Sequence, residues 1–138
     1  MEWVDLNNGN IIDLQSVSRT YTMGEIEVHA LRGVSLGIKR GEAIGIMGPS
    51  GSGKTTLLNL IGALDRPTQG KVIIDNIDIT NMSEGELTNV RRDKISYVFQ
   101  FFNLLPVLTA YENVELPLLI AGVDEDARKE RVDHLISL

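Results

Sequence analysis

Apolar residues along this chain fall into two rhythms, a period of two and a period near four. Residues 11–17 read as a strand entered from the turn-like Asn7-Asn8-Gly9-Asn10. A second strand is expected after Gly24, around residues 25–31, with Arg32-Gly33 turning the chain. Val34-Ser35-Leu36-Gly37-Ile38 then alternates as a half-buried strand does. Beyond the turn Lys39-Arg40-Gly41-Glu42 comes Ala43-Ile44-Gly45-Ile46-Met47, an unbroken apolar run that predicts a buried parallel strand. A helical pattern occupies residues 56–64, closed by the Pro and Gly of Asp65-Arg66-Pro67-Thr68-Gln69-Gly70.

Residues 71–75 form another strand, with Asn76 expected in a left-handed turn. Ser83 with Glu86, and Thr109 with Glu112, are capping boxes that start two helices. Pro117 is expected to bend or break the second. Between them Ile95-Ser96-Tyr97-Val98-Phe99 reads as a buried strand, and Arg128, Val132, Leu135 and Ile136 share a face of a last helix. Short alternating strands imply an antiparallel sheet and unbroken apolar runs a parallel one. The fold class is therefore α/β with two sheet types.

Composition narrows the function. At 138 residues the chain makes one domain, with ordinary hydrophobic and charged fractions. A net charge of −6 argues against a nucleic-acid surface, which needs a basic stripe. Two tight basic pairs, Arg91-Arg92 and Arg128-Lys129, fall in helical patterns as solvated faces would. No cysteine is present, which excludes disulfides and thiolate metal sites. No segment nears the roughly 18 apolar residues of a membrane span, and the start Met1-Glu2-Trp3-Val4-Asp5 is acidic where a signal peptide is basic. Trp3 precedes all recognisable structure, while His29 and His134 read as separate surface residues rather than a metal pair.

Chemistry concentrates at residues 48–55. Gly48-Pro49-Ser50-Gly51-Ser52-Gly53-Lys54-Thr55 is a complete G-x-x-x-x-G-K-[ST] loop between a predicted strand and a predicted helix. Its glycines let backbone amides close around phosphate oxygens, and the helix N-terminus adds its positive dipole end. In this motif the lysine, here Lys54, reaches the β- and γ-phosphates, and the hydroxyl of Thr55 ligates Mg²⁺. Composition produces such a match by chance at about 4 × 10⁻⁵ per start position, so an idle glycine turn carries little weight. A nucleoside triphosphate is the expected ligand.

Gln100 follows the strand at 95–99 and opens the string Phe101-Phe102-Asn103-Leu104-Leu105-Pro106. Together with residues 48–56, that string resembles the nucleotide-binding subunits of ATP-binding cassette (ABC) transporters. The likeness extends through Arg19-Thr20-Tyr21, residues 29–36, residues 62–70 and Leu108-Thr109-Ala110-Tyr111-Glu112-Asn113-Val114. Its wording is similar to the lipoprotein-release and macrolide-export type. The resemblance implies a P-loop core with parallel sheet and flanking helices, joined to an antiparallel β subdomain over about residues 10–106. Residues 107–138 would begin a helical subdomain.

It also implies roles. Tyr21 would stack on adenine, residues 48–55 with Thr56 would hold ATP, and Gln100 would join Thr55 at Mg²⁺. Phe101 and Phe102 would receive a helix from a membrane permease, core packing being the equal alternative. Implied partners are that permease and a second nucleotide-binding subunit, at the cytoplasmic face of the membrane. The family's Ser-Gly-Gly signature, Walker B aspartate, catalytic glutamate and switch histidine have no counterpart in these 138 residues, so no catalytic residue is assigned. The chain matches an N-terminal portion, and the later strands of the family's sheet would lie between residues 43–47 and 95–99. Two other readings stay open: a nucleotide-binding fragment without transport, and a non-transport ABC ATPase of repair or translation, against which the acidic charge weighs.

Overall fold

The computed structural model describes residues 9–138; Trp3 lies outside them. Strands β1 (Asn10–Met23), β2 (Ile26–Lys39), β3 (Gln69–Ile74) and β4 (Ile77–Asp78) form one sheet in the order β2-β1-β3-β4. Every neighbouring pair is antiparallel. Helices α1 (Lys54–Ile61) and α2 (Glu84–Lys94) belong with the sheet to a first compact unit, which ends at Tyr97. A second unit, Val98–Leu138, holds α3 (Ala110–Ile120) and α4 (Glu125–Ile136).

A strict period of two would send Leu14 and Val17 to opposite faces of β1, yet both are buried. A bulge reconciles them. The pairing with β2 shifts between Leu14 and Val17, where Ser16 takes φ 50° and its N–H donates to Ser35 Oγ at 2.9 Å. The expected turn at Arg32-Gly33 is corrected the same way. β2 runs through it, and the ladder steps from Val17–Val34 to Arg19–Leu31 across a second irregularity, with Gly33 N–H donating to Ser18 Oγ at 2.9 Å. One long hairpin thus replaces three short strands.

The core lies where α1 and α2 meet the sheet. Leu57 and Leu60, three apart on α1, and Leu87 and Val90, three apart on α2, cluster with Leu14, Val17, Leu31, Val72, Ile74 and Ile79. Burying a leucine such as Leu60, which has no exposed surface, stabilises the fold by about 1.5–3 kcal/mol.

Both capping boxes form. The Ser83 and Thr109 hydroxyls accept from Glu86 and Glu112 N–H, while those carboxylates accept the cap residues' N–H at 2.7 Å. These bonds hold both glutamates below the ordinary range, Glu86 chiefly through the Ser83 hydroxyl and Glu112 chiefly through the Thr109 N–H. α3 continues through Pro117 to Ile120, so the expected break is not realised. The proline forfeits the bond its N–H would make to the Asn113 carbonyl, while its own carbonyl still accepts from Ala121 N–H at 3.0 Å. Asn76 takes the expected positive φ, 64°, and Asp75 before it takes 48°.

Two expectations are overturned. Residues 43–47 and 95–99 belong to no ladder among the described residues. Ile46 and Ile95 touch the core, but Met47 is 92% exposed and Val98 89%. An apolar run specifies burial; a strand also needs a neighbour's amides and carbonyls. The basic pairs are likewise not simply solvated. Arg91 donates to the Ala63 carbonyl at 2.7 Å, and Arg128 joins Glu115 at 2.7 Å and the Val123 carbonyl at 3.0 Å.

One carboxylate joins the residues that lead into both segments. Asp75, in the β3–β4 turn, takes Arg40 at 2.6 Å on one oxygen and Lys94 at 2.7 Å on the other. Its carboxyl is held below the usual range, first by the Lys94 hydrogen bond. His29 and His134 are exposed, as expected. No helix among the described residues is long and apolar enough to cross a membrane.

Leu60→Ala should cost about 2–5 kcal/mol of unfolding free energy in urea titration, because the site is enclosed on every side. The exposed apolar side chains of Met47, Val98, Phe101 and Phe102 should also make the chain associate as concentration rises. Size-exclusion chromatography with light scattering checks this; a monodisperse monomer at high concentration would contradict it.

Candidate phosphate-binding site

Residues 48–55 wrap tightly around their own backbone ahead of α1. Ser52 N–H donates to the Pro49 carbonyl at 3.3 Å, closing the loop's middle. A Cβ on Gly48 would lie 2.7 Å from Ser52 Oγ. Gly53 is tighter still: it takes φ 89°, and a Cβ there would stand 2.6 Å from the Ala30 carbonyl oxygen and 3.0 Å from Leu31 Cδ2. Only glycine satisfies both the left-handed backbone and this approach to β2.

That approach fixes where α1 begins. The helix has no side-chain cap and no acidic residue in its first turn, whereas α2, α3 and α4 are each capped by a Ser, Thr or Asp side chain. Its leading amides are therefore directed into the loop, with the positive end of the helix dipole behind them. Lys54 bends back over the loop, its ammonium donating to the Gly48 carbonyl at 2.9 Å and the Pro49 carbonyl at 2.7 Å. The hydroxyl-bearing residues Ser50 and Thr55 are exposed, and Thr56 is half-buried. From Ala43 through Leu64 the sequence carries no carboxylate, in a chain of net charge −6. Amide donors, one ammonium and neutral hydroxyls form an anion-binding set, and triphosphate fits it.

Tyr21 sits near the far end of β1, opposite Val28 of β2. Two residues beyond Val28 is Ala30, whose carbonyl backs Gly53, so the register sets Tyr21 two strand positions from where the loop packs on β2. The ring is half-buried and closely held. Its hydroxyl donates to Asp65 Oδ2 at 2.7 Å, and the Arg19 guanidinium carbon lies 4.4 Å from the ring centroid. Arg19 also grips Asp65 with two nitrogens, at 2.9 and 2.7 Å. Sequence reading passed over Arg19 and Asp65 as site residues; they stand 46 positions apart, and Asp65 looks like an ordinary turn residue.

Gln100 lies in the second unit, exposed within a turn where Phe102 N–H donates to the Phe99 carbonyl at 3.1 Å. Phe101 and Phe102 are 81% and 75% exposed, which sets aside their reading as core residues. The loop residues and Tyr21 share the first unit, while Gln100 belongs to the other. Among the described residues no group of three His, Cys, Asp or Glu side chains could hold a metal, so an ion here would depend on hydroxyl, amide-side-chain and phosphate oxygens.

Comparison with known proteins places the chain in a family. The family model described as ABC transporter matches residues 31–138. The ABC transporter ATP-binding protein MJ0796 of Methanocaldococcus jannaschii is 54% identical over 129 residues, covering 91% of this chain and 55% of that protein. The macrolide export ATP-binding/permease protein MacB of Marinobacter nauticus is 43% identical over 127 residues, 92% of this chain and 20% of its own length. A dimeric structure of the MJ0796 cassette, in a post-hydrolysis state bound to ADP and Pi, superposes with a TM-score of 0.83 over 89% of this chain and 54% of that one, at 52% identity. The chain thus spans about half the length of the MJ0796 protein it matches. Family match, sequence identity and fold agree: the chain belongs to the ABC transporter family.

Proposed function

We propose that residues 48–55 grip the β- and γ-phosphates of ATP as the nucleotide site of a transport ATPase. The observation that carries this reading is the loop itself, drawn onto the uncapped start of α1 with Lys54 folded over it. Lys54 would meet phosphate charge, loop amides and Thr56 would complete the donor set, and Tyr21 would carry the base. Thr55 and Gln100 would hold Mg²⁺, which supplies further charge neutralisation at the phosphate oxygens. Stacking a base on an aromatic ring contributes about 1–3 kcal/mol without demanding a particular base.

The wider assembly is part of the same proposal. The MJ0796 cassette is dimeric with ADP and Pi, and the MacB relatives carry a permease in the same chain. By that likeness this chain works with a second nucleotide-binding subunit and a membrane permease, at the cytoplasmic face, in export or extraction. The exposed Phe101 and Phe102 suit a surface that meets the permease. Nucleic acid is no partner on charge grounds.

Binding is separable from turnover. The 138-residue chain should bind Mg-ATP weakly and hydrolyse it negligibly, because residues 43–64 around the loop carry no carboxylate to polarise the attacking water. Steady-state phosphate release checks this; turnover at the rate of a full-length relative would refute it. Lys54→Ala removes charge-assisted hydrogen bonds to phosphate and should weaken ATP by about 10–100-fold in isothermal calorimetry. Gly53→Ala drives a Cβ into the Ala30 carbonyl, so it should abolish binding and also lower the melting temperature. Binding that survives both substitutions would sink the loop reading.

A further inference from the structure

We propose that Asp65 and Arg19 are positioning residues for nucleotide, holding the Tyr21 ring as a fixed platform for the base. This rests on the reading of residues 48–55 and Tyr21 as the ATP site. Tyr21 is held at two points. Its hydroxyl is anchored on Asp65 Oδ2, and one region of its ring is covered by the Arg19 guanidinium at 4.4 Å. Arg19 in turn forks onto both Asp65 oxygens, with the two side chains 24% and 19% exposed. A planar fork on a half-buried carboxylate fixes orientation in a way that a lysine point charge does not.

Asp65 is itself tied to the phosphate grip. Its backbone N–H donates to the carbonyl of Asn59, inside α1, at 3.2 Å, as does the N–H of Leu64 at 2.8 Å. α1 is the helix whose opposite end carries Lys54, about 12 Å away along its axis. The same trailing segment is bound to β1 on both sides of Arg19: Thr68 N–H donates to the Ser18 carbonyl at 2.8 Å, and Thr20 N–H donates to Thr68 Oγ1 at 3.0 Å. One rigid helix therefore holds the phosphate end of the site at its start and, through Asp65, the base end at its finish. A ring already immobilised spares the ordering cost that a free side chain would incur on binding.

The test compares ATP with inorganic tripolyphosphate, which engages the loop but has no base, by calorimetry on the 138-residue chain. Asp65→Ala should weaken ATP about three- to tenfold, the scale of immobilising one aromatic side chain, and leave tripolyphosphate within about twofold. Asp65→Asn keeps an acceptor for the tyrosine hydroxyl and should recover part of the loss. Tyr21→Phe leaves the Arg19–Asp65 pair intact and should show a smaller loss, again confined to ATP. In a Tyr21→Ala background Asp65→Ala should cost nothing further.

Equal losses for both ligands, unchanged ATP binding, or additive effects with Tyr21→Ala would overturn the assignment. The underlying loop reading has a different signature. It falls when tripolyphosphate binding is absent in the parent chain or indifferent to Lys54→Ala, whereas the Asp65 assignment falls on the ratio of the two ligands.

Discussion

The contact between Gly53 and the Ala30 carbonyl is the constraint on which the site depends. A side chain at 53 would need to occupy space 2.6 Å from a backbone oxygen of β2. With that space empty, the loop lies against the hairpin, α1 starts on the sheet, and Leu57 and Leu60 fall onto the core. Packing and chemistry are therefore the same event. The two leucines that stabilise the helix also aim its first amides, and the sheet that they cover is the one that carries Tyr21.

The helix ends show how specialised that arrangement is. Ser83, Thr109 and Asp124 each satisfy the leading N–H groups of their helices with a side-chain oxygen. α1 opens instead on a left-handed glycine, with no carboxylate nearby in sequence. Forgoing a cap costs about 1 kcal/mol of helix stability. The first turn keeps its donors available, and the core contacts of Leu57 and Leu60 offset the loss.

Much of this was legible in the sequence because it is local. The capping boxes at Ser83 and Thr109, the left-handed Asn76 and the loop at 48–55 are each written within a few consecutive residues. What escaped was nonlocal. Val17 reaches the core through a bulge at Ser16, whose N–H is held by Ser35, nineteen residues from it. Asp65 acquires its meaning from Arg19 and Tyr21, and Arg91 from the Ala63 carbonyl. Residues 43–47 and 95–99 were misjudged for a different reason: their hydrophobicity was read correctly, but hydrophobicity does not say which neighbour supplies the ladder.

Those two segments share an origin. Arg40 stands just ahead of one and Lys94 just ahead of the other, and both are fastened to Asp75 in a tight turn of left-handed residues. Arg40 and Lys94 therefore meet on a single carboxylate, one on each oxygen. Because the Lys94 bond holds Asp75 below the usual carboxylate range, this double pairing persists further into acid than a free aspartate would stay ionised.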